Sequence, residues 1–182
     1  MPARSPSSRR YADAIFEIAT ENESWVQWSG DLQTIADFVG EADVGGLLAS
    51  NRVPRGDKMR LLSAGLEREI SPLAMNLVRI LEDKGKLHIA RDIQIVFQEK
   101  VDDARGIAHA VVTTAVPLSD DERNAIAARL SSVTGKQVNV TPVVDERIIG
   151  GLIARIGDQL IDGSTRTKLL ALKRQLGASV KS

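Results

Sequence analysis

Gly150-Gly151-Leu152-Ile153-Ala154-Arg155-Ile156-Gly157-Asp158-Gln159-Leu160-Ile161-Asp162-Gly163-Ser164 is the stretch whose reading decides the fold. Leu152 to Ile156 is a short apolar run, Gly157-Asp158 is a turn, and Gln159-Leu160-Ile161 returns. Asp162-Gly163-Ser164 is a second turn, and Ser164 is placed to cap a last helix with Leu169, Leu172 and Leu176 on its apolar face. A glycine takes positive φ at low cost, and an Asp accepts nearby backbone amides. Gly150, Gly151, Gly157, Asp158, Asp162, Gly163 and Ser164 are therefore read as turn chemistry, not as a catalytic loop.

Upstream of this hairpin the pattern stays mixed. Ile107 to Val116 is rich in β-branched residues, lacks strong charge and stops at Pro117, which predicts a strand. Ser119 and Glu122 have the spacing of a capping box, in which each satisfies the other's free amide. The helix it opens carries Ile126, Leu130 and Val133 and ends at Gly135. Gln137 to Val144 alternates Val138, Val140 and Pro142 against Asn139 and Thr141, a second strand. Proline donates no ladder hydrogen bond, so this strand belongs at an edge or a strand end. The back of the chain is thus a small domain of mixed strands and two helices.

The front changes to a helical period. Ser5-Pro6 opens a helix on which Tyr11, Ala12, Ile15, Phe16 and Ala19 recur. Trp25, Trp28, Leu32, Ile35 and Val39 form the stripe of a second, and both tryptophans suit a core or core-edge position. Gly45-Gly46 marks a break around a short apolar piece ending near Ser50. Pro54 opens a helix with Met59, Leu62 and Leu66 on one face, and Ser71-Pro72 opens another with Leu73, Leu77, Ile80 and Leu81. Lys84-Gly85-Lys86 ends it through a left-handed glycine, and Ile89, Ile93, Val96, Phe97 and Val101 mark the last. The fold class is α+β: a six-helix bundle over residues 1–105, then a small mixed domain over 106–182 with a glycine-turn hairpin and a terminal helix.

Composition supports the same division. The chain has 182 residues, with 24 Lys+Arg against 24 Asp+Glu. Divided after Arg105, the front is net −3 and the back net +3, and all six aromatics (Tyr11, Phe16, Trp25, Trp28, Phe38, Phe97) lie in the front. There is no cysteine, which excludes disulfides and thiolate chemistry. No run approaches the roughly 18 apolar residues of a membrane span. Met1 to Arg10 lacks the apolar stretch of a secretory signal, and the helical pattern begins too early for a transit peptide, which favours a bacterial source.

No catalytic constellation emerges. His88 and His109 are the two histidines, and neither has a carboxylate at ligand spacing nearby in sequence. Asp102-Asp103 and Asp120-Asp121 are adjacent, so on a helix they point apart. No metal or cofactor is expected. After Asp162 the chain has no acid, and Arg166, Lys168, Lys173 and Arg174 make its end basic. A solvated helix face, an acidic protein partner and nucleic acid each fit this tail. The back half has no aromatic on which a base could stack. Two readings from other classes follow. A helical nucleic-acid adaptor would lose affinity steeply with salt; a small hydrolase built around His88 or His109 would lose turnover when either is replaced.

The glycine-hairpin block closely resembles the signature of the F-type ATP synthase delta subunit family, which includes the mitochondrial oligomycin-sensitivity-conferring protein. Arg10-Tyr11-Ala12-Asp13-Ala14-Ile15-Phe16, Trp28, Asn76-Leu77-Val78 and Gly85-Lys86-Leu87 match in the same order, from about Arg10 to Leu176. Asp83-Lys84 stands where relatives often have a polar pair with Asn, and Trp25 is not a fixed family feature. The resemblance implies a non-catalytic stator part in ATP synthesis and hydrogen ion transport. It implies a front domain that holds the amphipathic N-terminal helix of an alpha subunit, and a back domain that joins the C-terminal end of the b (or b/b′) subunits of the peripheral stalk. It places the chain at the cytoplasmic face of the cell membrane, reached only through the complex, with no nucleic acid. Carried over for the groove are Tyr11, Ala12, Ala14, Ile15 and Phe16 in the first helix and Leu77, Ile80 and Leu81 in the fifth; the same residues also suit a core. Tyr11, Ala14 and Ala12, at the edge of the stripe, are the better groove candidates. Arg166, Lys168, Lys173 and Arg174 are the candidate stalk contacts.

Overall fold

The computed structural model describes residues 5–50, 52–148, 150–165, 167 and 169. It divides into two compact units, 1–101 and 102–182. The division falls after Val101, ahead of the Arg105-Gly106 boundary read from composition. Asp102 and Asp103 bond to His109 and Lys136, residues of the second unit. The described residues hold seven α-helices and one four-stranded sheet, an α+β chain.

The first unit starts with α1 (Pro6–Glu21). Ser5 Oγ accepts the Ser8 amide at 3.1 Å and Pro6 fills the first helical position, so the start signal works as read. Its inner face is Ser8, Ala12, Ile15 and Ala19, spaced four, three and four residues apart. Next comes α2 (Trp25–Gly40), which buries Trp28, Leu32, Ile35 and Ala36. Then α3 (Ala42–Ala49) runs straight through Gly45-Gly46, so the expected break is absent. Burial of Leu48 holds this segment helical despite the low propensity of glycine, and the added Cβ of a residue 45 would lie 3.0 Å from the Val39 carbonyl oxygen. Pro54 is the residue before α4 (Arg55–Leu66). Gly65 of α4 takes the Phe38 ring: a Cβ there would come within 2.4 Å of its edge carbons.

Ser71 caps α5 (Pro72–Asp83) by accepting the Ala74 amide at 3.2 Å, and Gly85 at φ 62° ends the following turn. A 3-10 turn (Leu87–Ile89) leads into α6 (Ala90–Ala104). These six helices enclose one apolar cluster in which Phe97, Ile35, Leu62, Leu66, Leu81 and Ile93 are fully buried. Phe16 stacks on Trp25 at 5.7 Å and meets Phe97 edge-on at 6.3 Å, which ties α1 to α2 and α6.

Among the described residues, the second unit holds a four-stranded sheet and a helix against it. β1 (Ile107–Thr114) pairs in parallel with β2 (Gln137–Val144), joined by α7 (Asp120–Thr134). β3 (Leu152–Ile156) lies antiparallel on the other side of β1, and β4 (Gln159–Asp162) antiparallel to β3, giving the order β2-β1-β3-β4. β2 is therefore an edge strand, the place its Pro142 requires. β1 ends two residues before the expected Val116, because Thr114 Oγ1 donates to the Val116 carbonyl at 2.7 Å and turns the chain. The capping box forms with both of its bonds. Ala110, Val112, Leu130, Val138 and Ala154 make the core, whereas Val133, expected on the apolar face of α7, is exposed.

Candidate interaction surface

The residues carried over for the groove separate by burial. Ala12, Ile15 and Leu81 are at most 4 % exposed, and Leu77 is also buried. These four are core residues, and Ala12 in particular has no surface to offer as a groove edge. Its place between Ser8 and Ile15 puts it at the centre of the inner face of α1. Tyr11 and Phe16 are partly buried against the same cluster. Ala14 is exposed, and Ile80 is 48 % exposed. Two further apolar residues join them: Ile18, 40 % exposed, four residues after Ala14, and Leu73, 54 % exposed, seven residues before Ile80. Their spacing was the available signal, since residues seven apart return to the same helix face. The outer surface thus offers Tyr11, Ala14 and Ile18 on α1 and Leu73 and Ile80 on α5.

Lys86 fixes one end of this surface. Its Nζ donates to Ser7 Oγ at 3.0 Å and stands 5.8 Å from the centre of the Tyr11 ring. The start of α1 is thereby held beside the turn that follows α5. On another side of α1, Asp13 pairs with Lys100 of α6 at 2.5 Å.

The glycine block is built for a close crossing of two chain segments. Gly151 has φ 83°, and a Cβ there would stand 2.5 Å from the Gly163 carbonyl oxygen and 2.9 Å from Ser164 Cα. The Gly163 amide donates to the Leu152 carbonyl and the Thr165 amide to that of Gly150, both at 2.9 Å. Gly157, φ 56°, is the first of the two residues linking β3 to β4, the place a type II′ turn gives to glycine. Asp162 accepts the Ser164 amide at 2.9 Å and the Thr167 hydroxyl at 2.8 Å, and these hydrogen bonds hold its carboxyl below the usual range. Ser164 Oγ in turn accepts the Thr167 amide at 3.3 Å. Asp158 lies in the hairpin turn. Of the basic tail, Arg166, Lys168, Lys173 and Arg174 fall outside the described residues, as do Leu172 and Leu176.

The histidines are not brought together with a nucleophile. His88 is exposed. His109 does have a carboxylate partner, Asp102 Oδ2 at 2.8 Å, which its sequence neighbourhood hid because the contact joins the end of α6 to β1. Among the described residues no three His, Cys, Asp or Glu side chains are placed to hold a metal ion. A cavity of about 1010 Å³ opens beside α2, α3 and the end of α5. At its wall Arg91 pairs with Asp37 at 3.1 Å and Lys58 donates to the Leu48 carbonyl.

Comparison with known proteins assigns this fold. The family model described as "ATP synthase delta (OSCP) subunit" matches residues 8–176. The chain is 36 % identical over 167 residues to the ATP synthase subunit delta of Dehalococcoides mccartyi strain 195, covering 92 % of each. It is 36 % identical over 177 residues to that of Bradyrhizobium sp. strain ORS 278, covering 96 % of this chain and 95 % of the relative. A chain of the Toxoplasma gondii mitochondrial ATP synthase hexamer shares the fold, with a TM-score of 0.65 at 23 % identity, over 94 % of this chain and 98 % of that one. These matches give the nucleic-acid adaptor no support. They run along nearly the whole sequence, and the chain belongs to the ATP synthase delta (OSCP) subunit family.

Proposed function

We propose that this non-catalytic stator subunit of the F-type ATP synthase, which links the catalytic head to the peripheral stalk, divides that task between its two units. The first unit, a six-helix bundle, receives the amphipathic N-terminal helix of an alpha subunit. The exposed apolar residues Ala14, Ile18, Leu73 and Ile80, with the partly buried Tyr11 beside them, carry this reading. Ala14, Ile18, Leu73 and Ile80 lie outside the core that holds Leu77, Leu81, Ala12 and Ile15, so the core does not account for them. Apolar anchors at helical spacing are what a groove-bound helix uses. The second unit, with its glycine-turn hairpin and the basic segment after it, takes the C-terminal end of the b subunits. No helix among the described residues is long and apolar enough to cross a membrane. As a subunit of the complex, the chain works peripherally at the cytoplasmic face, joined to the membrane through the complex.

The test is a titration of the full chain with a peptide of the alpha-subunit N-terminus, followed by tryptophan fluorescence. Trp25 donates to Thr20 Oγ1 at 2.9 Å, which couples its indole to the end of α1. Saturable binding at micromolar peptide is expected, and no binding overturns the groove. Tyr11→Asp should weaken binding about tenfold, on the order of 1.4 kcal/mol, with little loss of stability. Unfolding instead would return Tyr11 to the core. Removal of residues 164–182 should abolish stalk binding while peptide binding survives; retained stalk binding would refute the assignment of the second unit.

A further inference from the structure

The two edge strands of the sheet differ in what they offer another chain. An edge carries unpaired amides and carbonyls that a further strand can bond to, and shortness, charge or proline commonly prevents it. β4 has four residues and ends on Asp162. β2 has eight, Gln137 to Val144, and none of them is charged. Its Val143 and Val144 are 43 % and 47 % exposed. By length and composition β2 is the edge that invites pairing.

The register shows which amides β2 turns outward. Gln137 donates to the Gly106 carbonyl at 2.8 Å, and Asp145 to that of Thr114 at 2.9 Å. The odd-numbered residues of β2 therefore turn their backbone groups toward β1, and Val138, Val140, Pro142 and Val144 turn theirs away. Ser131 Oγ of α7 accepts the Val138 amide at 3.0 Å. Pro142 has no amide to give. Val140 and Val144 keep theirs, so no two successive outward amides remain.

We infer that the outer edge of β2 is a self-association surface fitted to β2 of a second copy, and that Ser131 and Pro142 keep it closed. A second copy fits because the strand is its own complement. Set antiparallel with Thr141 opposite Thr141, Val138 meets Val144 and Val140 meets Pro142. No like charges oppose each other, and the valines favour a paired strand. Within that ladder Pro142 withholds a donor from each copy, and the Val138 amide must first leave Ser131. The half-ladder left over does not offset the cost of ordering two solvated edges.

The first test uses the full chain. Val138 faces outward, yet its amide should exchange slowly, and Ser131→Ala should speed that exchange about tenfold while Val140 stays unchanged. A Val138 amide as free as that of Val140 in the parent chain overturns the role of Ser131. The second test is sedimentation at rising concentration. Ser131→Ala with Pro142→Val should dimerise at least about tenfold more tightly than the parent. Pro142→Val alone, which leaves α7 untouched, should shift association the same way by less. No shift from either variant overturns the proposal. The chain has no cysteine, so Thr141→Cys added to each background reports the pairing. Disulfide-linked dimer should accumulate faster in the double variant; association without that cross-link overturns the assignment to β2.

Discussion

The two units are held together by different physics. Among the described residues, 22 buried side chains form the apolar cluster of the first unit and five form that of the second. The first draws on volume: Phe97, Leu62, Leu66 and Ile93 are fully buried in its apolar cluster. Among the described residues, the core of the second lies between α7 and the four-stranded sheet, and backbone geometry fixes much of the unit's path. Its capping box, its edge proline and the crossing at Gly151 fix the path of the chain where side-chain burial is scarce. A bundle of this kind tolerates an odd residue on the outside but not a missing ring within. A thin sheet tolerates modest side-chain change but not a wrong φ.

The sharpest way to break this contrast is Phe97→Ala. Loss of the ring from a fully buried site should cost about 3–5 kcal/mol and show as a lower urea midpoint for the first unit. A loss below about 1 kcal/mol would mean that the core refills easily and that volume is not its support. Next is a pair of glycines. Gly151→Ala combines positive φ with a backbone clash and should destabilise the second unit by about 3 kcal/mol, read as faster amide exchange in β3 and β4. Gly46→Ala, in a helix with nothing within 4 Å of the new methyl, should instead raise stability by about 0.5–1 kcal/mol. Equal effects from the two would erase the distinction between the units.

The smallest effect concerns acid. Hydrogen bonds from the Arg147 side chain, then from its amide, hold the Asp145 carboxyl down to about 2. A depressed carboxylate contributes its stabilisation above its unfolded value, and the contribution is lost as pH falls through the folded one. The window is therefore from about 3.8 down to about 2. Carboxyl-carbon shifts should show Asp145 titrating there, and Arg147→Ala should move it upward. A titration near the ordinary carboxylate value in the parent chain would show that this loop is not set by the pair.

Much of the fold was legible because it is written in local chemistry. Ser5-Pro6, Ser71-Pro72 and the Ser119-Glu122 box each satisfy amides within one turn, so no distant information is needed. The two glycine turns around β4 are equally local. What escaped reading is tertiary. The helix through Gly45-Gly46 survives because Leu48 is buried, a fact that propensity does not contain. Ala12 looked like the edge of a stripe, yet its neighbours Ser8 and Ile15 make it the middle of the inner face. Leu73 reads from the sequence as one of the apolar residues of α5 and proves exposed, and Ile18, seven residues after Tyr11, is placed on the outer strip by spacing alone. His109 found Asp102 only once β1 met the end of α6.

The placement of the aromatic residues has an optical consequence. Every tyrosine, tryptophan and phenylalanine of the chain belongs to residues 1–101. Emission and near-ultraviolet dichroism therefore report on the first unit alone, while far-ultraviolet dichroism sums over both. Recording one thermal melt at the two wavelengths would time the loss of each unit separately, without a label or a cut in the chain.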